Sequence, residues 1–339
     1  MKTFAPASGA ISDELQNELG FHTPEPEDIR WAGPILRRAG RMGCEYSFGN
    51  IYAWADVYHV EIAQRDGNFL SRSLGEGDGG LSYGFPVGPG ELRETIELLR
   101  RDAARNGTRL ELYGLTREDT ALLDAALPGG FDFLPCQGDA DYLYQTGDLA
   151  DLPGKKYHQK RNHISYFEKN NRWSYEEITQ GNADECLALA KRWMQLNRER
   201  NPKELEAEYE ALRRCFAHYD LFGCRGGLLR VEGEAAAFCL GEALNGTTFC
   251  THFEKAFIAQ RGAYQMINRE FAARTLREFL YINREEDTGD EGLRKAKLSY
   301  YPALLLEKFH AVSREGPAVD LMSAKTEAAE TAKEDDNPL

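Results

Sequence analysis

The stretch GGLLRVEGEAAAFCLGEALNGTTFCTHFEKAF, residues 226–257, decides the fold. Turn signals at Glu232-Gly233-Glu234 and Asn245-Gly246 cut it into three apolar runs, which predicts three antiparallel strands. QRGAYQMINREFAARTLREF (260–279) follows, with helical periodicity and a glycine at its start. Then come a strand, LYINRE, a short helix, DEGLRKAKLSYYP, and a last strand, LLLEKFHAVS. Working outward, the same order occurs earlier in the chain. YHVEIAQRDGNFLSRS reads as a hairpin turning at Asp66-Gly67, and GLSYGFPVG as a third strand. Residues 90–107 have a helical period, TRLELYGL is a strand, and TREDTALLDAAL opens on a threonine cap. FDFLPCQGDADYLYQTGDL adds one or two strands. The two halves share element order, not sequence identity. The reading is an α+β chain of two lobes, 41–150 and 220–315, with mostly antiparallel sheets flanked by helices. A helical segment precedes them (1–40), a basic linker and helices join them (151–219), and a polar, disordered tail follows (316–339).

The chain has 339 residues, 42% of them hydrophobic, enough for a sizeable core. Its seven cysteines are odd in number with no CxxC spacing, and the closest pairs, Cys215 with Cys224 and Cys239 with Cys250, lack partner histidines at ligand spacing, which implies reduced thiols and no metal site. With no apolar signal core and no transmembrane run, the expected location is cytoplasmic. A net charge of −14 excludes a broad nucleic-acid face, and DNA is not an expected partner. A local cationic patch could still hold one phosphate-bearing ligand.

Three stretches could carry chemistry. The first is Gln260-Arg261-Gly262-Ala263, where free N–H groups at a helix start could hold a pyrophosphate, or where the glycine simply serves the turn. The second is KKYHQKRNHISYFEKNNR (155–172), with six Lys/Arg against one acid. Lys156, Lys160 and Arg161 there form a phosphate clamp or a solvated face. The third is NREEDTGDEGLRKAKLSYYP (283–302), with five acids between Glu285 and Glu291. Helical spacing puts Asp290, Arg294, Lys297 and Tyr301 on one stripe as substrate-binding candidates. Glu285, Glu286 and Asp287 could bind or deprotonate an amine if one has a raised pKa, and Tyr300 or Tyr301 could protonate a leaving group. The alternative is a salt-bridged surface loop. No GxSxG or GxxxxGK[ST] motif occurs, and His218, His252 and His310 are scattered and read as structural.

EYSFGNIYAWADVYHVEI (45–62), KYHQKRNHISYF (156–167), GAYQMINREFA (262–272) and NREEDTGDEGLRKAKLSYYPALLLEKF (283–309) together resemble the DUF2156 family, related to the C-terminal domain of phosphatidylglycerol lysyltransferases. The resemblance covers most of residues 40–313. It implies a tandem GNAT (acyl-CoA N-acyltransferase) fold and transfer of an amino acid from aminoacyl-tRNA to an amine or a lipid hydroxyl; ordinary GNAT enzymes use acyl-CoA. The acyl-CoA loop pattern is only partly met, since Ala259 stands three places before Gly262 and Tyr264 two places after. The expectation is a transferase with a small-molecule or lipid acceptor, and acyl-CoA or the acceptor end of an aminoacyl-tRNA as donor. No cofactor is expected to be tightly bound. The rival expectation is a non-catalytic ligand-binding module of the same fold.

Overall fold

The computed structural model describes residues 17–74, 80–199, 201–257 and 259–316. The first half contains α1 (Ile29–Ala39), α2 (Phe48–Tyr58), β1 (Val60–Arg65), β2 (Asn68–Leu74), β3 (Leu81–Gly84), α3 (Leu92–Arg105), β4 (Glu111–Leu115), α4 (Arg117–Ala126) and β5 (Phe131–Gln145). The middle contains α5 (Thr146–Asp151), α6 (His158–Asn170), β6 (Trp173–Glu177), α7 (Ala183–Leu196), α8 (Pro202–Ala217) and α9 (Tyr219–Phe222). The second half contains β7 (Arg225–Val231), β8 (Glu234–Ala243), β9 (Thr248–Ala256), α10 (Ala263–Arg274), β10 (Tyr281–Asn283), α11 (Glu291–Leu298) and β11 (Leu304–Ser313).

Local signals set these elements where the sequence puts them. Asp66 and Gly67 both take positive φ between β1 and β2, as a tight hairpin requires. Thr116 caps α4, accepting the Asp119 N–H while the Asp119 carboxylate accepts the Thr116 N–H. Two expectations need correction. Of the proposed helical segment 1–40, the described part is helical mainly over α1, which tolerates Pro34 inside it, and residues 1–16 lie outside the description, as do residues 317–339 of the tail. The linker also holds an unforeseen strand, β6, which pairs antiparallel with β7.

All eleven strands form one sheet, ordered β1-β2-β3-β4-β11-β5-β10-β9-β8-β7-β6. Pairing is antiparallel except β3 with β4 and β9 with β10, the corresponding pairs of the two halves. The last strands are exchanged: β11 lies between β4 and β5, and β5 lies between β11 and β10. Helices α3 and α4 cover β2–β4, while α5, α6 and α10 cover the same half of the sheet as Leu229, Phe249 and Ile282. A third core joins α1, α2, α7 and α8 to Ile62 and Phe69 at one end of the sheet and to Leu228, Phe238 and Phe253 toward the other. The sheet therefore curls around these helices, which its accumulated twist allows. This curl brings residues 41–50, leading into α2, across the central strands.

Candidate active site

The central strands β8, β9, β10, β5 and β11 each send a charged or polar side chain toward residues 42–49, and the result is two linked polar clusters. In the first, Ser47 caps α2 by accepting the Asn50 N–H at 3.0 Å. Its hydroxyl donates to Glu242 on β8 and lies 3.1 Å from His252 Nε2 on β9. Glu242 also accepts the Gly49 N–H at 2.7 Å, and His252 Nδ1 reaches Glu285 Oε1 at 2.7 Å. Burial works against charging the His252 ring, but Cys250, Glu242 and Glu285 outweigh it and hold its pKa well above the usual value. A protonated His252 donates from both nitrogens. Ser47, His252 and Glu285 thus sit in a line like a nucleophile, base and acid, yet the charged ring cannot accept the serine proton. The line is an ionic tie between the first half and the second.

In the second cluster, the Lys308 ammonium on β11 is 3% exposed and bonds Asp141 on β5 at 2.7 Å and Glu45 directly. Asp141, fully buried, also accepts the Cys44 N–H at 2.9 Å and the Asn283 amide at 2.8 Å. The Cys44 thiol lies 3.4 Å from Glu286 Oε2. Two carboxyl groups therefore contact one ammonium, and a third, Glu286, adjoins the cluster at the Cys44 thiol. Burial pushes Glu45 up to about 7, with Lys308 pulling the other way. Burial raises Glu286 too, against the same lysine. One Glu45 oxygen, Oε2, is buried with no hydrogen-bond partner. Both glutamates keep some solvent exposure, so this is the part of the site where a titratable carboxyl meets access to ligand.

The acidic loop divides as follows. Glu285 belongs to the histidine tie and Glu286 to the lysine cluster. Asp287, 1% exposed, is bound twice by Arg294 at 2.8 and 2.9 Å and once by the Tyr142 hydroxyl at 2.5 Å. Burial would raise its pKa, but Arg294 and Tyr142 more than offset this and hold it low. The single stripe expected along α11 does not form. Asp290 caps α11 through the Leu293 N–H at 2.7 Å, and Arg294 turns back to Asp287. Lys297 is buried and donates to the carbonyls of Arg284, Glu285 and Glu286 at 2.5, 3.0 and 2.5 Å. Tyr301 lies past the helix end with φ 55°. What the stripe reading missed is that α11 stops at Leu298 and that the acid partnering Arg294 lies outside the helix.

The basic stretch packs on the end of α11. Lys160 bonds the Ser299 hydroxyl at 2.6 Å and sits 3.8 Å over the Tyr300 ring. Burial and then Arg284 lower its pKa to about 8. Lys156 pairs with Asp148 at 3.3 Å and lies 5.5 Å from the Tyr301 ring centre. Arg161 instead braces the preceding loop through the Leu152 and Gly154 carbonyls at 2.5 and 2.7 Å. Tyr300 is buried and its pKa raised by that burial, whereas Tyr301 is exposed. Gly262 has φ 94°, and a Cβ there would stand 2.4 Å from the His163 carbonyl of α6. That close approach of α6, together with the turn, accounts for the glycine. Ala263 is buried, Gln260 accepts the Ala263 N–H at 3.0 Å, and Arg261 lies over the Tyr166 ring at 4.5 Å.

Sequence reasoning missed Glu45, Asp141, Glu242 and Lys308, and took His252 as structural without its partners Glu242 and Glu285. The partners lie up to hundreds of positions apart, so no spacing pattern could join them. The one available signal was charge inside apolar strands: Lys308 in LLLEKF and Asp141 in DADYLY.

Comparison with solved structures finds a conserved protein of unknown function from Bacteroides thetaiotaomicron, 36% identical, covering 87% of this chain and 100% of that one, with a TM-score of 0.83. A C-terminal domain (DUF2156) assigned to lysylphosphatidylglycerol synthetase from Agrobacterium fabrum is 15% identical, with coverage of 89% and 96% and a TM-score of 0.63. L-PGS from Bacillus licheniformis is 15% identical, with coverage of 91% and 97% and a TM-score of 0.62. No match is found among curated protein sequences. The fold is a mixed α+β architecture with a large, mostly antiparallel sheet flanked by helices, and its two halves repeat one order of elements. The family model described as "Phosphatidylglycerol lysyltransferase, C-terminal" matches residues 36–312, and the chain belongs to that family.

Proposed function

We propose that this protein transfers an aminoacyl or acyl group from a phosphate-bearing donor to an amine or hydroxyl acceptor, with the chemistry at the Glu45–Glu286–Lys308 cluster. The observation that carries the reading is the charge imbalance there. Asp141 and Glu45 both contact Lys308, Glu286 adjoins them at the Cys44 thiol, and burial holds Glu45 and Glu286 toward the neutral form. An incoming ammonium group relieves that imbalance, so an amine is the acceptor the cluster favours. Glu286 takes one proton from the bound ammonium, and the freed nitrogen attacks the donor carbonyl. The bond from that carbonyl to the donor oxygen or sulfur breaks, and the leaving atom takes a proton from Glu45 or from the exposed phenol Tyr301. The nitrogen sheds its second proton as the tetrahedral adduct collapses, and that proton restores Glu45 or Tyr301. Of the two protons the ammonium loses, one stays on Glu286 and one in effect leaves with the departing group, so the step balances without a covalent enzyme intermediate. Asp287, Asp290, Arg294 and Lys297 act by holding the 284–290 loop. Lys156, Lys160 and Arg261 meet the donor's phosphates, with Tyr300 beneath Lys160; Arg161 and the turn at Gln260, Gly262 and Ala263 hold α6 and α10 in register.

Family membership favours aminoacyl-tRNA over acyl-CoA as donor. Among the described residues no helix is long and apolar enough to cross a membrane. The test is a transfer assay pairing labelled aminoacyl-tRNA or acyl-CoA with free amino acids, polyamines and phosphatidylglycerol vesicles. Glu286→Gln should abolish transfer while donor binding persists. Full activity in that variant removes the cluster from the mechanism, and no transfer from any donor favours a ligand-binding module.

A further inference from the structure

We infer that Cys136, Asp139 and His310 form a binding site for a borderline transition metal such as zinc. The site arises from an irregularity in the pairing of β5 and β11. Cys136 pairs with Lys308 and Asp141 with Leu306, so residues 137–140 bulge opposite the single residue Glu307. The bulge brings Asp139 back beside Cys136, and His310, paired with Leu134, comes up from the neighbouring strand. The three ligand atoms all lie within 4.8 Å of one another, and His310 Nε2 is 3.7 Å from Asp139 Oδ2. Ligands around tetrahedral zinc sit about 3.3–3.6 Å apart, given bond lengths of about 2.0 Å to nitrogen or oxygen and about 2.3 Å to sulfur. The groups thus need a contraction of at most about 1.5 Å, and water completes the fourth position.

The donor set selects the ion. One thiolate and one imidazole suit zinc or cobalt and disfavour magnesium and calcium, which take oxygen. Cys136 is also the exception among the seven cysteines, since the other six are buried. A metal here would fix the bulge that leads directly into Asp141, and Asp141 carries Lys308. The site is therefore a brace on the lysine cluster. It is independent of the transferase reading.

The experiment is titration of the whole protein with Co²⁺. A one-to-one complex with a sulfur-to-cobalt charge-transfer band in the near ultraviolet, displaced by Zn²⁺ and not by Mg²⁺, is the expected result. Loss of an outer-shell partner already costs about 10–100-fold in metal affinity, so His310→Ala should cost at least that, and Cys136→Ser should erase the band. As a second measurement on the unaltered chain, Zn²⁺ should slow alkylation of Cys136 in the folded state. Absence of the band, a band that survives Cys136→Ser, or alkylation indifferent to Zn²⁺ each overturns the site.

Discussion

Replacing Lys308 by methionine tests the central cluster most directly. The side chain is 3% exposed and its partner Asp141 is fully buried, so the variant keeps the volume and strands the carboxylate. Breaking a buried ion pair by removing one partner costs about 3–5 kcal/mol. The structure puts this case at the upper part of that range, because Glu45 and Glu286 lose the same cation. Part of the loss is recoverable by acid. Without Lys308 Glu45 and Glu286 titrate higher still, so lowering pH protonates them and removes their repulsion. Denaturant unfolding at about pH 8 and about pH 5 should show a penalty of about 4–5 kcal/mol at the higher pH that shrinks clearly at the lower one. The double variant Lys308→Met with Asp141→Asn should recover much of the loss. A penalty below about 1 kcal/mol, or one that ignores pH, would falsify the reading of Lys308 as the charge that holds the cluster together.

Other predictions follow from neighbouring groups. Glu45 has a folded pKa raised above its unfolded value, so its contribution to stability is full below the unfolded pKa near 4.5 and lost as pH rises through about 7. Glu45→Gln should therefore flatten the fall in stability between acid and mildly basic pH, measured by thermal unfolding across that window. Asp287 has the opposite sign. Its pKa is depressed, its stabilisation is lost only as pH falls through that low value, and Asp287→Asn should destabilise at neutral pH far more than at strongly acid pH. Gly262→Ala should cost about 1–3 kcal/mol from the left-handed φ alone, and more from the His163 clash, while donor affinity per folded molecule holds. A selective loss of donor affinity would instead give the glycine a phosphate-binding role. His252→Ala should destabilise by about 3–5 kcal/mol, read in the same denaturant assay, because Glu242 and Glu285 lose their shared donor.

The fold was largely legible because its signals are local. Asp66-Gly67, the Thr116 cap and the glycine before α10 each act within four residues, and each element formed where those residues put it. The strand exchange was not legible, since nothing in LLLEKFHAVS states which strand it will pair with. The candidate site was half legible. The 285–287 acids are dense enough to notice, and Glu286 does reach a cluster with a raised carboxyl. Which acid does what depends on Lys308, His252 and Arg294, and those choices are made by contacts between separate elements, β11, β9 and α11, that come together only in the fold. The cysteines teach the same lesson: Cys136 has no histidine at ligand spacing in the chain, yet His310 stands beside it across two strands.

The exchanged last strands have a mechanical consequence. Because β11 is held between β4 and β5, and β5 between β11 and β10, the halves cannot swing apart as on a hinge without tearing backbone pairing at the centre of the sheet. Opening to admit a substrate is left to the loops and short helices at the rim. Neither half should survive expression alone, and ending the chain before Leu304 should unmake the first half as surely as the second. Unfolding should then register as one transition, with no species in which one half stands and the other has melted.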